Sequence, residues 1–558
     1  MVGTNRSRPF DNIVCIGLDG ATFDVIDGMI DRGRLPHLGK LLSTGVRASL
    51  DSTVPPLSAP AWVSFMTGQN PGRHGVFHFR AMERGKLGAG LIGSWAVQGK
   101  TIFDHASRAG LKVVAFGVPM TYPPWPLHGT VVSGFPTPDP RVTYSEPGDV
   151  GARIGPLLKL SAAGQLTAGI ETQVENLDYY QQRCTENVVE LLNQERPHLL
   201  CYVNSVTDWM AHKFWRYSDP SAPGFEPYAV EGGSLVEHFY EQADASVGEV
   251  LAAAEGNTLV VVLSDHGMGP RSTMRFSTNA WLEDMGLLAR PLGEQARAVV
   301  PEVFEALRER IPNKTALKQW LWAKAPVLRS LMQRSAGALP NYGGPIDWAR
   351  TRAYRVGVHN LVEGVNVNLQ GREPQGSVSE DDYEDVRTAV LRAARELIET
   401  GNEGDVFEGA YRREELFWGE YAHLAPDIVL VLKPTYEFAP GTSRQVISEV
   451  SPHRLKRSSA NHRSDGILIM AGTGVHQGLV LDDVSLLDVP TTILWALGVE
   501  LPKDVDGRVL MEAFERDLIE SHPPKWTAEL RENSANGGVY TQEEARQMEA
   551  HLRDLGYL

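Results

Sequence analysis

Three places in the sequence set acidic and imidazole side chains directly after short apolar runs. Asp19 closes the run Ile13–Leu18, and Ser264-Asp265-His266-Gly267 follows Leu259–Leu263. Asn204-Ser-Val-Thr-Asp208 follows Leu199–Val203, with His212 four residues beyond Asp208. Asp and His at that spacing share one face of a helix, so both can reach one ion. Three carboxylates brought together repel one another and raise their own pKa values unless cations sit among them. Mixed oxygen and nitrogen donors suit Zn2+, with Mn2+ or iron as substitutes. Each motif also has a plainer reading: a turn for Asp-Gly, a capped or solvated helix face for Asp-x-x-x-His, a loop for Asp-His-Gly. Their joint placement is what points to a metal site.

A hydroxyl nucleophile is offered by Pro55-Pro-Leu-Ser58-Ala-Pro-Ala-Trp62-Val-Ser-Phe65. Ser58 is placed to begin the helix that carries Trp62 and Phe65. A serine there commonly serves as an N-cap. The same position also presents unpaired N–H groups and a positive dipole end to a phosphate oxygen.

These residues need a scaffold. Ile13–Leu18, Val113–Val118, Leu199–Val203, Leu259–Leu263, Ile428–Leu432 and Ile467–Met470 read as buried strands, apolar throughout rather than alternating. Helical patterns at Leu177–Gln194, Leu235–Glu255 and Tyr383–Glu399 lie between them. Strand and helix alternating in this way predict an α/β fold with a largely parallel sheet. Ligands bind outside the carboxyl ends of such strands, where the candidate residues lie.

Two stretches break the rhythm. Residues 136–176 are rich in Pro and Gly, and residues 290–345 read as a helical cap insertion containing Pro301–Arg310 and Ala316–Gln333. The second cap helix mixes Trp320, Leu321, Trp322, Leu328 and Leu331 with Lys318, Lys324 and Arg329, so it packs on the core or meets a membrane surface or lipid. Thr541-Gln-Glu-Glu544 has the capping-box pattern of a terminal helix, docked by Leu552, Leu555 and Tyr557.

The 558-residue chain carries 53 Lys and Arg against 69 Asp and Glu, a net charge of −16, which argues against general nucleic-acid binding. Cys15, Cys184 and Cys201 form no disulfide framework. With no apolar stretch near the ~20 residues of a membrane span, and an N-terminal apolar run too short for a signal peptide, a cytoplasmic protein is expected.

Taken in order, GLDGATFD, PPLSAPAWVSFMTGQNPGRHG, VTDWMAH, LSDHGMG and Asn461-His462-Arg463-Ser464-Asp465-Gly466 resemble the alkaline phosphatase superfamily, and within it the type I phosphodiesterase/nucleotide pyrophosphatase family. Asp488-Val-Pro-Thr-Thr-Ile-Leu and Asp506-Gly-Arg508 resemble its closing helix and turn. The resemblance implies an alkaline-phosphatase-like core in two parts, 1–289 and 346–512, interrupted by the cap and followed by a tail at 513–558. It implies two divalent ions, one held by Asp208, His212 and His462, the other by Asp19, Asp265 and His266, with Ser58 as metal-facing nucleophile. Three carboxylates and a serine alkoxide would balance the charge of two zinc ions and leave a neutral site for a small anionic phosphate ester.

The expected reaction is hydrolysis of phosphodiester or pyrophosphate bonds through a phosphoseryl intermediate, Ser58 standing where many nucleotide pyrophosphatases use threonine. The alternatives on the same fold are a phosphomonoesterase, a phosphonate hydrolase, or a metal-bound scaffold without catalysis. The resemblance departs at one place. The family sets an Asn shortly after the His-Gly to hold a phosphate oxygen, whereas this chain reads His74-Gly-Val-Phe-His78-Phe79-Arg80. His78 and Arg80 are the candidate replacement donors.

Overall fold

The computed structural model describes residues 8–83, 86–138, 142–154, 169–230, 233–291, 346–398, 405–527 and 540–555. The helices expected within the cap fall outside these, as does Tyr557. Among the described residues no helix is long and apolar enough to cross a membrane.

Six of the apolar runs do form strands, five of them in one nine-stranded sheet. From edge to edge it runs Leu479–Ser485, Val46–Asp51, Asp465–Ala471, Thr258–Leu263, Asn12–Leu18, Leu199–Asn204, Val113–Phe116, Gly129–Val132 and Ser145–Glu146. Pairing is mostly parallel: Asn12–Leu18 lies parallel to both neighbours. Asp465–Ala471 is inserted antiparallel to both of its own, and the two-residue strand Ser145–Glu146 is antiparallel at the edge. The central strands are buried along nearly their whole length because helices pack on both faces of the sheet, as continuous apolarity predicts.

Ile428–Leu432, by contrast, sits in a second, four-stranded antiparallel sheet with Phe407–Arg412, Val362–Val367 and Ala353–Gly357. It mimics a parallel core strand because it too is covered on both sides. Helix Tyr383–Glu396 supplies Val386, Val390 and Leu391 to one apolar cluster, and Phe77, Met82 and Phe417 pack with Val429 in another.

The irregular 136–176 stretch also holds more structure than its composition suggests. A helix spans Gly148–Ile154, and the helix expected from Leu177 begins at Ile170. Ile170, Val174 and Leu177 fall on one stripe and pack against the main core, which extends the helix backward by two turns. The terminal helix Gln542–Leu555 starts as expected, with the Glu544 amide donating to Thr541 Oγ1 and the Thr541 amide to Glu544 Oε2. Met548 and Leu552 are buried beneath it.

Candidate metal centre

Each candidate ligand is placed by a strand end or by a pairing register. After the strand Asn12–Leu18 the chain turns at Gly20, whose φ of 69° suits glycine, so the turn reading and the site reading of Asp19-Gly20 are both realised. A Cβ on Gly20 would lie 3.2 Å from Asp208 Cβ. Thr207 Oγ1 donates to the Asp19 carbonyl at 2.6 Å and ties the first strand end to the next. There helix Val206–Phe214 presents Asp208 in its first turn and His212 one turn later, with Asp208 Oδ1 3.3 Å from His212 Nε2.

At the third strand end, Ser264 Oγ donates to the Ala21 carbonyl at 2.8 Å and fixes the turn into Asp265 and His266. The chain then enters strand Gly267–Pro270, which pairs antiparallel with Ala460–Arg463 and sets Met268 opposite His462. That register stacks the His462 ring on His266, with centroids 3.7 Å apart.

Asp208 Oδ1, His212 Nε2 and His462 Nε2 form a triangle with edges of 3.3, 3.0 and 3.5 Å. Bonds of about 2.0–2.1 Å to a tetrahedral zinc separate neighbouring donors by ~3.3 Å, so the triangle has the size of such a face. The second group surrounds His266 Nε2, with Asp265 Oδ2 at 3.4 Å, Asp19 Oδ1 at 3.7 Å and the Ser58 hydroxyl at 3.3 Å. Asp19 Oδ1 and both Asp265 carboxylate oxygens are buried with no hydrogen-bond partner, the condition of acceptors shaped for a cation.

Ser58 is the first residue of helix Ser58–Thr67 and not its cap: Leu57 occupies the cap position, without a side-chain cap bond. The N-cap reading is therefore replaced by contact with His266. Every residue of this helix is buried, so its first turn lies away from bulk water. Trp62, one turn on, donates from Nε1 to Asp19 Oδ2 at 3.2 Å. Gly17 makes room for its ring, since a Cβ there would stand 2.4 Å from Trp62 Cη2.

The electrostatics follow from crowding charge in a dry place. Burial, then Asp265 and Asp208, push the Asp19 carboxyl well above its ordinary range. Burial pushes Asp265 up to about 7. Burial also works against ionised Asp208, yet His212 and His462 hold that carboxyl well down. Burial and the neighbouring His462 keep His266 neutral. Three carboxylates in such surroundings call for positive charge, which divalent cations would supply.

The imidazoles fall into two kinds. His462 Nδ1 donates to the Pro56 carbonyl at 2.7 Å and His266 Nδ1 to the Gly267 carbonyl at 3.1 Å. A carbonyl only accepts, so both rings turn a bare Nε2 lone pair toward the site, as metal-binding histidines do. His78, fully buried, instead accepts the Arg80 amide at Nδ1, at 3.2 Å. Arg80 itself forms an ion pair with Glu549 of the terminal helix at 3.0 Å, which engages the guanidinium expected to bind substrate.

The residue that sequence reasoning missed is His359. It follows a strand of the second sheet and brings its ring within 5.3 Å of His462. A lone His-Asn after Val358 carries no strand-end signal for the main sheet, so nothing in the pattern marks it.

The chain belongs to the type I phosphodiesterase/nucleotide pyrophosphatase family, whose model matches residues 13–465, and it is accordingly a phosphoric ester hydrolase. No curated protein matches its sequence. Among solved structures, phosphonoacetate hydrolase from Sinorhizobium meliloti is 15% identical over 88% of this chain and 96% of its own, with a TM-score of 0.49. Murine ectonucleotide pyrophosphatase/phosphodiesterase 5 is 12% identical over 90% of this chain and 100% of its own, with a TM-score of 0.47. A mutant of alkaline phosphatase PafA is 12% identical over 90% and 99%, with a TM-score of 0.48.

Proposed function

We propose that this protein hydrolyses phosphodiester or pyrophosphate bonds of small anionic esters, with Ser58 as nucleophile. The observation that carries the reading is the Ser58 hydroxyl, 3.3 Å from His266 Nε2 at the mouth of a fully buried helix. Asp208, His212 and His462 would hold one divalent ion, and Asp19, Asp265 and His266 the other, with Ser58 beside it. Zinc fits the donor set best, and manganese or iron could substitute. When bound, such ions supply Lewis-acid chemistry that makes a hydroxyl nucleophilic and offsets charge on phosphoryl oxygens.

The chain's own groups do the rest. Ser58 Oγ forms the new bond to phosphorus as the bond to the leaving oxygen breaks, on the opposite side. The first-turn N–H groups of helix Ser58–Thr67 receive a non-bridging oxygen. Water then attacks the phosphoseryl ester and releases Ser58. The six ligand side chains are buried, so bulk water is held away from the reacting centre. Three buried, unbridged cysteines suit a reducing compartment such as the cytoplasm. The core in two parts, the cap at 290–345 and the tail at 513–558 complete the proposed domain plan.

The test is a panel of bis(p-nitrophenyl) phosphate, p-nitrophenyl phosphate, an aryl sulfate and phosphonoacetate, each with Ser58→Ala as control. The diester should turn over fastest, and Ser58→Ala should lose about a thousandfold or more in kcat. A dominant monoester or phosphonate rate would replace the substrate assignment. Two tightly held metals with no turnover on any member would make the protein a scaffold.

A further inference from the structure

The two ring tautomers divide the imidazoles of the site by task. In His359, Nδ1 accepts the Leu361 amide at 3.3 Å, so the proton resides on Nε2. That is the reverse of His266 and His462, whose Nε2 atoms are bare. A ring protonated at Nε2 offers a hydrogen-bond donor there, not a lone pair for a cation.

Two further features suit His359 to an incoming molecule. His266, His462 and His78 are buried, whereas His359 is half-buried. Its backbone is also tightly held. The His359 amide donates to the Val362 carbonyl at 2.8 Å, and the Phe438 amide donates to the Asn360 carbonyl at 2.9 Å. The second sheet thus holds a rigid donor at the edge of a site built on the first.

We propose that His359 is a specificity-determining substrate contact, donating from Nε2 to a non-bridging oxygen of the bound phosphoryl group in place of the amide missing after His74-Gly75. This rests on the hydrolase reading above. It also gives the segment after the cap a direct part in substrate recognition, a task that neither Ala353–Gly357 nor Val362–Val367 would have through packing alone.

The experiment compares wild type, His359→Leu and His359→Gln. Gln keeps a side-chain N–H, and Leu keeps volume without one. Binding of inorganic phosphate is read by calorimetry, turnover with bis(p-nitrophenyl) phosphate, and metal per chain by elemental analysis, with thermal midpoints as the folding control. His359→Leu should weaken phosphate binding and kcat/KM roughly tenfold to a hundredfold at unchanged metal content, as for loss of one hydrogen bond to a charged group. His359→Gln should recover a substantial part of both. Unchanged phosphate affinity in His359→Leu overturns the proposal, and so does the loss of a metal equivalent, which would make His359 a ligand. Failure of the hydrolase reading looks different: wild type itself would then neither turn over the diester nor differ from Ser58→Ala.

Discussion

Replacing Trp62 by Phe deletes one N–H that points at a buried carboxylate. The indole donates to Asp19 Oδ2 at 3.2 Å, while Asp19 Oδ1 has no hydrogen-bond partner. Losing a bond to a charged acceptor costs about 1.5–3 kcal/mol. Part of that should appear as weaker metal binding, because Asp19 would be free to rotate away from His266. Supporting partners of this kind are typically worth 10–100-fold in metal affinity, equivalent to about 1.4–2.7 kcal/mol, so the two estimates agree. Gly17→Ala attacks the same contact from behind, since the new methyl would stand 2.4 Å from Trp62 Cη2 and 2.9 Å from Val203 Cγ2. The ring would have to move by about 1 Å to restore ordinary contact, enough to break its bond to Asp19. Competition titration with a zinc chelator measures the effect for each variant, with urea unfolding of the metal-free protein as the control for packing. The two substitutions together should cost less metal affinity than the sum of the two singly, because they break one contact. Wild-type zinc affinity in a folded Trp62→Phe protein would refute the idea that the indole positions Asp19.

Asp427→Asn should lose about 3–5 kcal/mol at neutral pH, because the fully buried carboxylate accepts Arg372 at 2.6 Å, the Tyr383 hydroxyl and the Val367 amide, both at 2.8 Å. Burial opposes its charge but Arg372 lowers its pKa, so this stability is present above the ordinary carboxyl value and fades as pH falls through the lowered one; urea midpoints of the two proteins should converge on acidification. His238 has the opposite sign. Its bond to Asp178 at 2.8 Å raises its pKa, so His238→Gln should cost under ~1 kcal/mol below about pH 6 and nothing once pH passes the raised value, checked by denaturation across pH and by NMR titration of the ring. Gly20→Ala should destabilise by about 1–2 kcal/mol for its left-handed backbone and also depress turnover by displacing Asp208, whereas Gly33→Ala, equally left-handed at φ 71° but with nothing near its Cβ, should show the stability loss alone.

What could be read from the sequence tracks how local its cause is. Asp19, Asp265 and His266 follow buried strands directly, and Asp208 and His212 share a helix face, so position along the chain marks them. His462 has no such mark: its place comes from pairing opposite Met268, and only the motif around it gave it away. Ile428–Leu432 reads as a buried strand and is one, but its place in the second sheet is not legible, because apolarity reports cover on two faces without saying which layers provide it. Ser58 looked like a cap since composition cannot distinguish the cap position from the first helical one. His359 was invisible for a deeper reason. Its proposed role depends on which ring nitrogen meets the Leu361 amide, and on the loop between two strands of the second sheet reaching the His462 ring.

The antiparallel strand Asp465–Ala471 has a consequence for how the molecule is made. It fills the gap between Thr258–Leu263 and Val46–Asp51, two strands that leave the ribosome hundreds of residues earlier. Until it arrives, the early strands face each other across an empty lane with their hydrogen-bonding edges bare, a state that invites association. The proposed ligand trio of Asp19, Asp265 and His266 is synthesised in the first half of the chain, but the proposed trio of Asp208 and His212 waits for His462, three residues before the start of that same strand. Closure of the sheet and completion of the proposed Asp208–His212–His462 set are therefore both late in synthesis, and a chain truncated before residue 460 would lack both.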